Sequence, residues 1–219
     1  MQISRIIFLS LLFCVALFCA GCTQSTPSDT TSQATISAPV TDPAQMGLTL
    51  SDLPSGFALA ESRTKNSSEM GRLALDLGWQ RGYVVRYISP VQEGNAGTEI
   101  VQSIAIYPEH TIPDVIGYSS QQARSDTDYT YTDLPVPALY EHALAFSGKA
   151  GIQIPTKSTG YNPLLDKTDT TNGQAGMKTD FSEIFFSKGN TFEVIKISGP
   201  SPDTAFLLNV SEKAYAKIP

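Results

Sequence analysis

The sequence predicts an α+β fold, an antiparallel sheet flanked by helices, and three observations carry that reading. The segment DFSEIFFSKGNTFEVIKIS, residues 180–198, alternates with period two about a Gly-Asn pair, the pattern of a hairpin. Two earlier segments, GYVVRYIS (82–89) and TEIVQSIAIY (98–107), read as a second pair of strands. Helical patterns stand between and after these strands without a regular βαβ alternation, which favours α+β over α/β.

The chain opens Met-Gln-Ile-Ser-Arg, with Arg5 as the only charge before an apolar run from Ile6 to Phe18 broken by Ser10. Cys19-Ala20-Gly21-Cys22 follows. A basic start, a short apolar middle and small residues before a cut describe an export signal over residues 1–21. The run is shorter than the ~20 apolar residues of a comfortable membrane span. This stretch resembles the lipobox of prokaryotic lipoproteins, with Cys19 where Leu is commonest. The resemblance implies cleavage before Cys22 and a lipid on its sulfur, so the membrane is the first expected partner. It also implies residence on the extracytoplasmic face. An uncleaved anchor and a plain secretory cut are the other readings. Cleavage would remove Cys14 and Cys19, leaving one of the three cysteines and no possible intrachain disulfide.

Residues 22–46 hold the lipidated Cys22 and a tract rich in Ser, Thr, Pro and Ala, with Asp29 and Asp42 as its only charges. Such a tract buries too little apolar surface to offset chain entropy and reads as a flexible tether. Residues 47–219 remain for a single globular domain, and 41% hydrophobic with 16% charged residues suits a packed core. The net charge is −6, or −7 once Arg5 leaves with the signal. That balance disfavours nucleic acid and close electrostatic adhesion to an anionic membrane.

Within the body, Asp52-Leu53-Pro54-Ser55-Gly56 is a turn and Phe57 to Glu61 a short strand. Met70, Leu73, Ala74 and Leu77 fall on one helical face, with Ser67 or Ser68 as cap and Gly78 as the stop. The strand pair follows, joined by PVQEGNAG; Ile100, Ile104 and Ile106 share a face with Gln102 in their midst. Pro113 to Arg124 suggests a helix with Thr111 as cap, though with a poor apolar face. Residues 125–176 are the least patterned: ALYEHALAF fits strand or helix, and residues 156–176 read as an exposed loop.

The terminal hairpin sets its own register. With Gly189-Asn190 at the tip, Ile184 faces Ile195, Phe185 faces Val194 and Glu183 faces Lys196. Both faces are apolar, which predicts cover on both sides. Ser201 or Asp203 then caps a last helix that lays Leu208, Tyr215 and Ile218 on the sheet. Asp-Leu-Pro occurs at Asp52 and again at Asp133, read as a repeated turn solution rather than a duplicated half.

Chemistry-bearing motifs are sparse. The two histidines, His110 and His142, each follow a Glu, and neighbours on an extended strand diverge rather than converge on one ion. GYSSQ fails the G-x-S-x-G pattern at its last position. Asp166, Asp169 and Asn172 lie three apart, not at the alternate positions of a calcium loop. Neither G-x-G-x-x-G nor a P-loop occurs, so no cofactor is implied. Asn66 and Asn209 begin glycan acceptor triplets. Trp79, Tyr83 and Tyr87 cluster after the first helix and are the candidate ligand-binding residues.

LSDLPSGFAL, LGWQRGYVVRY and IFFSKGNTFEVIKISG with its terminal helix resemble exported lipoproteins of unknown function in methanogenic archaea. The hairpin-then-helix ending is also similar to the PsbP/Mog1-like α+β sandwich. That resemblance implies a non-catalytic accessory or assembly role with a protein or small-molecule partner, and assigns no residue. Two alternatives stand beside it. A solute-capturing module needs an enclosed pocket lined by Trp79 and the tyrosines. A tethered hydrolase needs His110 or His142 in a cleft beside a carboxylate or Ser.

Overall fold

A computed structural model describes residues 42–89, 97–151, 161–162, 167–168, 178–200 and 202–219. Cys22, the signal and most of the tether lie outside them, as do Asp166, Asp169 and Asn172. The fold begins earlier than expected. Pro43–Met46 forms a 3-10 turn capped by Asp42, whose carboxylate accepts from the Ala44 N–H at 3.0 Å. Met46 is only 1% exposed, so residues 43–46, expected in the tether, belong to the folded body. A second 3-10 turn, Leu50–Asp52, completes a strap that lies on the sheet.

Strand β1 is Ala58–Lys65, four residues longer than expected at its far end. The predicted helix after it is cut short. Gly71 sits at the N-cap in extended conformation, so only Arg72–Asp76 (α1) is helical. Ser67–Glu69 makes a separate 3-10 turn, closed by reciprocal bonds between Asn66 and Glu69. Gly78 does stop the helix, at φ 86. Strands β2 (Arg81–Ile88) and β3 (Glu99–Ile106) match the prediction closely.

Helix α2 runs Ile112–Ala123 and buries Ile112, Val115, Ile116 and Ser119, a regular i, i+3, i+4, i+7 face. Thr111 holds the N-cap position without capping; its hydroxyl donates to the Pro108 carbonyl at 2.8 Å. β4 is Tyr129–Asp133 and β5 is His142–Ala150, which resolves ALYEHALAF as a loop running into a strand. Two-residue strands β6 (Tyr161–Asn162) and β7 (Lys167–Thr168) pair with each other. β8 (Phe181–Lys188) and β9 (Thr191–Ser198) form the hairpin, and α3 (Thr204–Tyr215) ends the fold. Asp203 caps α3, accepting from the Ala205 N–H at 2.9 Å.

The main sheet has seven strands in the order β1-β2-β3-β9-β8-β5-β4, each neighbouring pair antiparallel. The hairpin register is as predicted: Ile184–Ile195, Phe185–Val194 and Glu183–Lys196 stand opposite. Gly189 takes φ 54 at the tip, the conformation a two-residue turn demands. The hairpin lies near the middle of the sheet and is buried on both faces. α3 and the strap cover one face, through Leu207, Val210, Ala214, Met46 and Leu48. α2 and α1 cover the other, through Ile112, Val115, Ile116 and Ala74. The α3 stripe is Leu207, Val210, Ser211 and Ala214 with Ile218 beyond it, so Leu208 and Tyr215 pack only at its margin. The two Asp-Leu-Pro copies occupy unlike settings, one closing a 3-10 turn and the other ending β4.

Candidate functional site

The predicted aromatic trio does not converge. Trp79 precedes β2 and is buried among α1, α2 and Ala105. Tyr83 and Tyr87 share a parity along β2 and project to the opposite face. Tyr87 donates from its hydroxyl to the Leu48 carbonyl at 2.6 Å, and the Tyr83 hydroxyl meets Ser62 Oγ at 2.7 Å. The sheet itself therefore stands between Trp79 and the tyrosines, and they line no common pocket. His110 is exposed in the 3-10 turn Glu109–Thr111, and His142 is exposed at the first position of β5. Among the described residues no three His, Cys, Asp or Glu are placed to hold a metal ion. Asn66 and Asn209 are both exposed, Asn66 as a cap and Asn209 inside α3.

The structure brings together a polar centre that sequence reasoning missed. Gln102 and Glu193, both fully buried, lie diagonally across β3 and β9 beneath the strap. Gln102 Nε2 donates to Glu193 Oε2 at 2.8 Å, and Gln102 Oε1 accepts from the Leu48 N–H at 2.6 Å. The strap is irregular, so its buried backbone has no ladder to bond with and side chains must serve instead. Gln102 takes the Leu48 N–H and Tyr87 takes its carbonyl. Glu193 Oε1 has no partner. Burial pushes Glu193 up to about 8, against smaller opposing effects of the Gln102 bond and Lys217, so it is protonated at neutral pH. The alternation of Glu193 with Ile195 and Ile197 was the available signal, as was Gln102 among isoleucines.

The end of α3 clamps the strap from above. Lys217 Nζ donates to the Gly47 carbonyl at 3.1 Å and to Asp52 Oδ2 at 2.5 Å, and Lys213 Nζ donates to the Asp52 carbonyl at 2.7 Å. Burial raises the Asp52 carboxyl, but the Lys217 and Thr49 bonds outweigh it and hold it below its ordinary value.

The opposite face is aromatic. Phe146 stacks on Phe185 with centroids 5.7 Å apart, and Tyr129 meets Phe181 edge-on at 5.0 Å. Gly148 makes room for this packing, since a Cβ there would fall 2.3 Å from the Phe181 ring. Arg124 lies 4.3 Å over Phe146 and pairs with Asp133. Glu183 stands opposite Lys196 as predicted, but the ammonium sits 4.0 Å over the Phe181 ring. Burial raises the Glu183 carboxyl, only partly offset by Lys196, and its Oε2 has no partner.

Among the described residues, two shallow concavities that open to solvent stand out. One, about 230 Å³, lies at the start of α3, between Phe57, Ile197 and Phe206. The other, about 400 Å³, runs between the end of α2 and the outer edge of β5. Leu134, Val136 and Leu144 line it, with Gln121, Arg124 and Asp133 at its rim. β4 stops pairing with β5 at Asp133, and the Leu134 N–H adds one bond to the Ala145 carbonyl at 2.9 Å. Ala143, two residues from Ala145, turns its backbone N–H and carbonyl to that same side.

No family model matches the chain, and no curated protein matches it. Among solved structures, the extracellular domain of PknH from Mycobacterium tuberculosis is similar over 74% of this chain and 85% of that chain. The two are 7% identical with a TM-score of 0.46, a likeness too slight to carry an argument.

Proposed function

We propose that this chain is a lipid-anchored, extracytoplasmic binding or accessory domain without catalysis, on a PsbP/Mog1-like plan. The groove between α2 and β5 carries the reading. It offers an apolar floor, a charged rim and a strand edge whose pairing has stopped, the elements that receive an extended partner segment. Its shallow form suits recognition at a surface more than enclosure of a solute. The exposed histidines and the divided aromatic trio give the hydrolase and solute-capture readings no corresponding site among the described residues. The lipobox supplies the anchor, and the acidic net charge of −6 leaves the lipid to hold the domain at the membrane. No helix among the described residues is long and apolar enough to cross a membrane.

A photoreactive residue at Gln121 tests the groove in membranes of the producing cell. A discrete adduct is expected there, none from the same probe at exposed Asp76, and loss of the adduct on Leu144→Arg. Equal labelling from both positions sinks the groove. Mass spectrometry tests the anchor separately: the mature chain should start at a lipid-modified Cys22. An intact Met1 with a bare Cys22 thiol removes the anchor and leaves the groove untouched.

A further inference from the structure

Strand β1 ends the sheet, and among the described residues no strand pairs with its outer edge. Ala58, Leu59, Ala60, Ser62, Arg63 and Thr64 are exposed, so β1 projects bare from both faces. The opposite edge is different: β4 has five residues, and its Tyr129 and Tyr131 pack into the aromatic face. A long bare edge is a template for another strand, and proteins usually guard it with charge, lysine above all. Here Lys65 is turned inward, donating to Ser103 Oγ at 2.7 Å. The other charges of β1 are Glu61 and Arg63, opposite in sign and two residues apart on one face.

We propose that two copies of this chain associate through β1, paired antiparallel about a twofold axis at Ser62. Opposed residues in a continuous sheet project to the same face, so the register moves in steps that keep parity. With the axis at Ser62, Glu61 faces the partner's Arg63 and Arg63 faces the partner's Glu61. With the axis at Glu61 or at Arg63, that residue meets its own copy, and like charges oppose. The same charges thus guard the edge against the neighbouring registers and favour the one at Ser62. On the other face this register sets Ser62 against its copy, small side chains without a clash. Within each chain Arg63 already bonds Glu61 at 2.7 Å and Glu69 at 2.6 Å, so the cross-strand pairs extend an existing network.

The contact is short. A bulge between Leu59 and Glu61 interrupts the regular course of β1 and leaves a ladder of a few residues, where a stable interface buries ~1,200 Å² or more. The dimer is therefore weak in solution and weaker in salt. Confinement of both copies to one membrane would raise their effective concentration and make such a contact sufficient.

Sedimentation equilibrium of the full chain in density-matched detergent tests this. A monomer–dimer equilibrium that salt weakens is expected. Glu61→Arg and Arg63→Glu should each weaken it on the order of tenfold. An equimolar mixture of the two variants should restore it, because every facing pair is then opposite in sign. The double variant should restore it alone, which keeps the test sharp if one single variant folds poorly by circular dichroism. A chain monomeric at every attainable concentration, a dimer indifferent to both reversals, or a mixture that fails to recover each overturns the proposal.

Discussion

The two faces of the sheet are covered by different means. On one, α2 lies over a layer of phenylalanine and tyrosine rings, and its backbone bonds are internal to the helix. On the other, α3 shares the work with an irregular strap over aliphatic side chains and the Tyr140, Phe186 and Tyr215 rings. A helix brings its own hydrogen bonds to a buried face; a strap does not. The strap face therefore carries Gln102 and Tyr87 as partners for the strap backbone, where α2 needs none. The difference shows how a buried polar group follows from the kind of element laid over it.

The largest expected effect treats the faces as equals. Phe186 belongs to the strap face and Phe146 to the aromatic face, and neither is exposed at all. Phe186→Ala and Phe146→Ala should each cost about 3–5 kcal/mol in denaturant unfolding. A loss under ~1 kcal/mol for either would break the symmetry and make that layer dispensable.

The next separates them. Gln102→Leu keeps much of the volume but leaves the buried Leu48 N–H unsatisfied, at a cost of about 1–3 kcal/mol. Amide exchange at Leu48 should quicken more than amides under α2. Uniform quickening over both faces would mean that the strap is not an independent cover.

The third effect is a pH signature in which Glu193 and Lys65 act with opposite signs. Glu193 keeps its proton to about 8 in the folded chain, against ~4.3 unfolded. Its contribution is full below the unfolded value and declines as pH rises to about 8. Lys65, on the other face, is pushed down to about 8 by burial and by Arg63, against ~10.4 unfolded. The folded chain gives up that proton first, so stability recovers from about 8 upward. Together they set a minimum near pH 8. Glu193→Gln should gain stability at pH 8 and flatten the acid-side slope, which thermal melts across the range will read. An unchanged slope would place the buried proton elsewhere, with Glu183 next in line.

Much of this architecture was legible before the fold was seen. The hairpin register followed from a Gly-Asn tip and strict alternation, both local properties. The helix after β1 is shorter than its periodicity predicts, because Gly71 takes an extended cap conformation instead of continuing the turn. Met46 looks like any residue beside a polar tract until something distant buries it, so its place in the folded body was not legible. The candidate site fared worst. Trp79 and the tyrosines are neighbours in sequence, yet β2 sends them to opposite faces. The α2–β5 groove draws its walls from segments with no shared pattern.

The sequence by itself determined the α+β class, the central hairpin and the two-sided burial of its strands. Each rests on turn chemistry, composition or a short period, which act over a few residues. Only the tertiary structure decided the pairing of β3 with β9 and the docking of the strap. The same holds for the proton on Glu193 and the bare edge of β1. These depend on contacts between residues far apart in the chain, whose burial and partners exist only once the sheet has assembled.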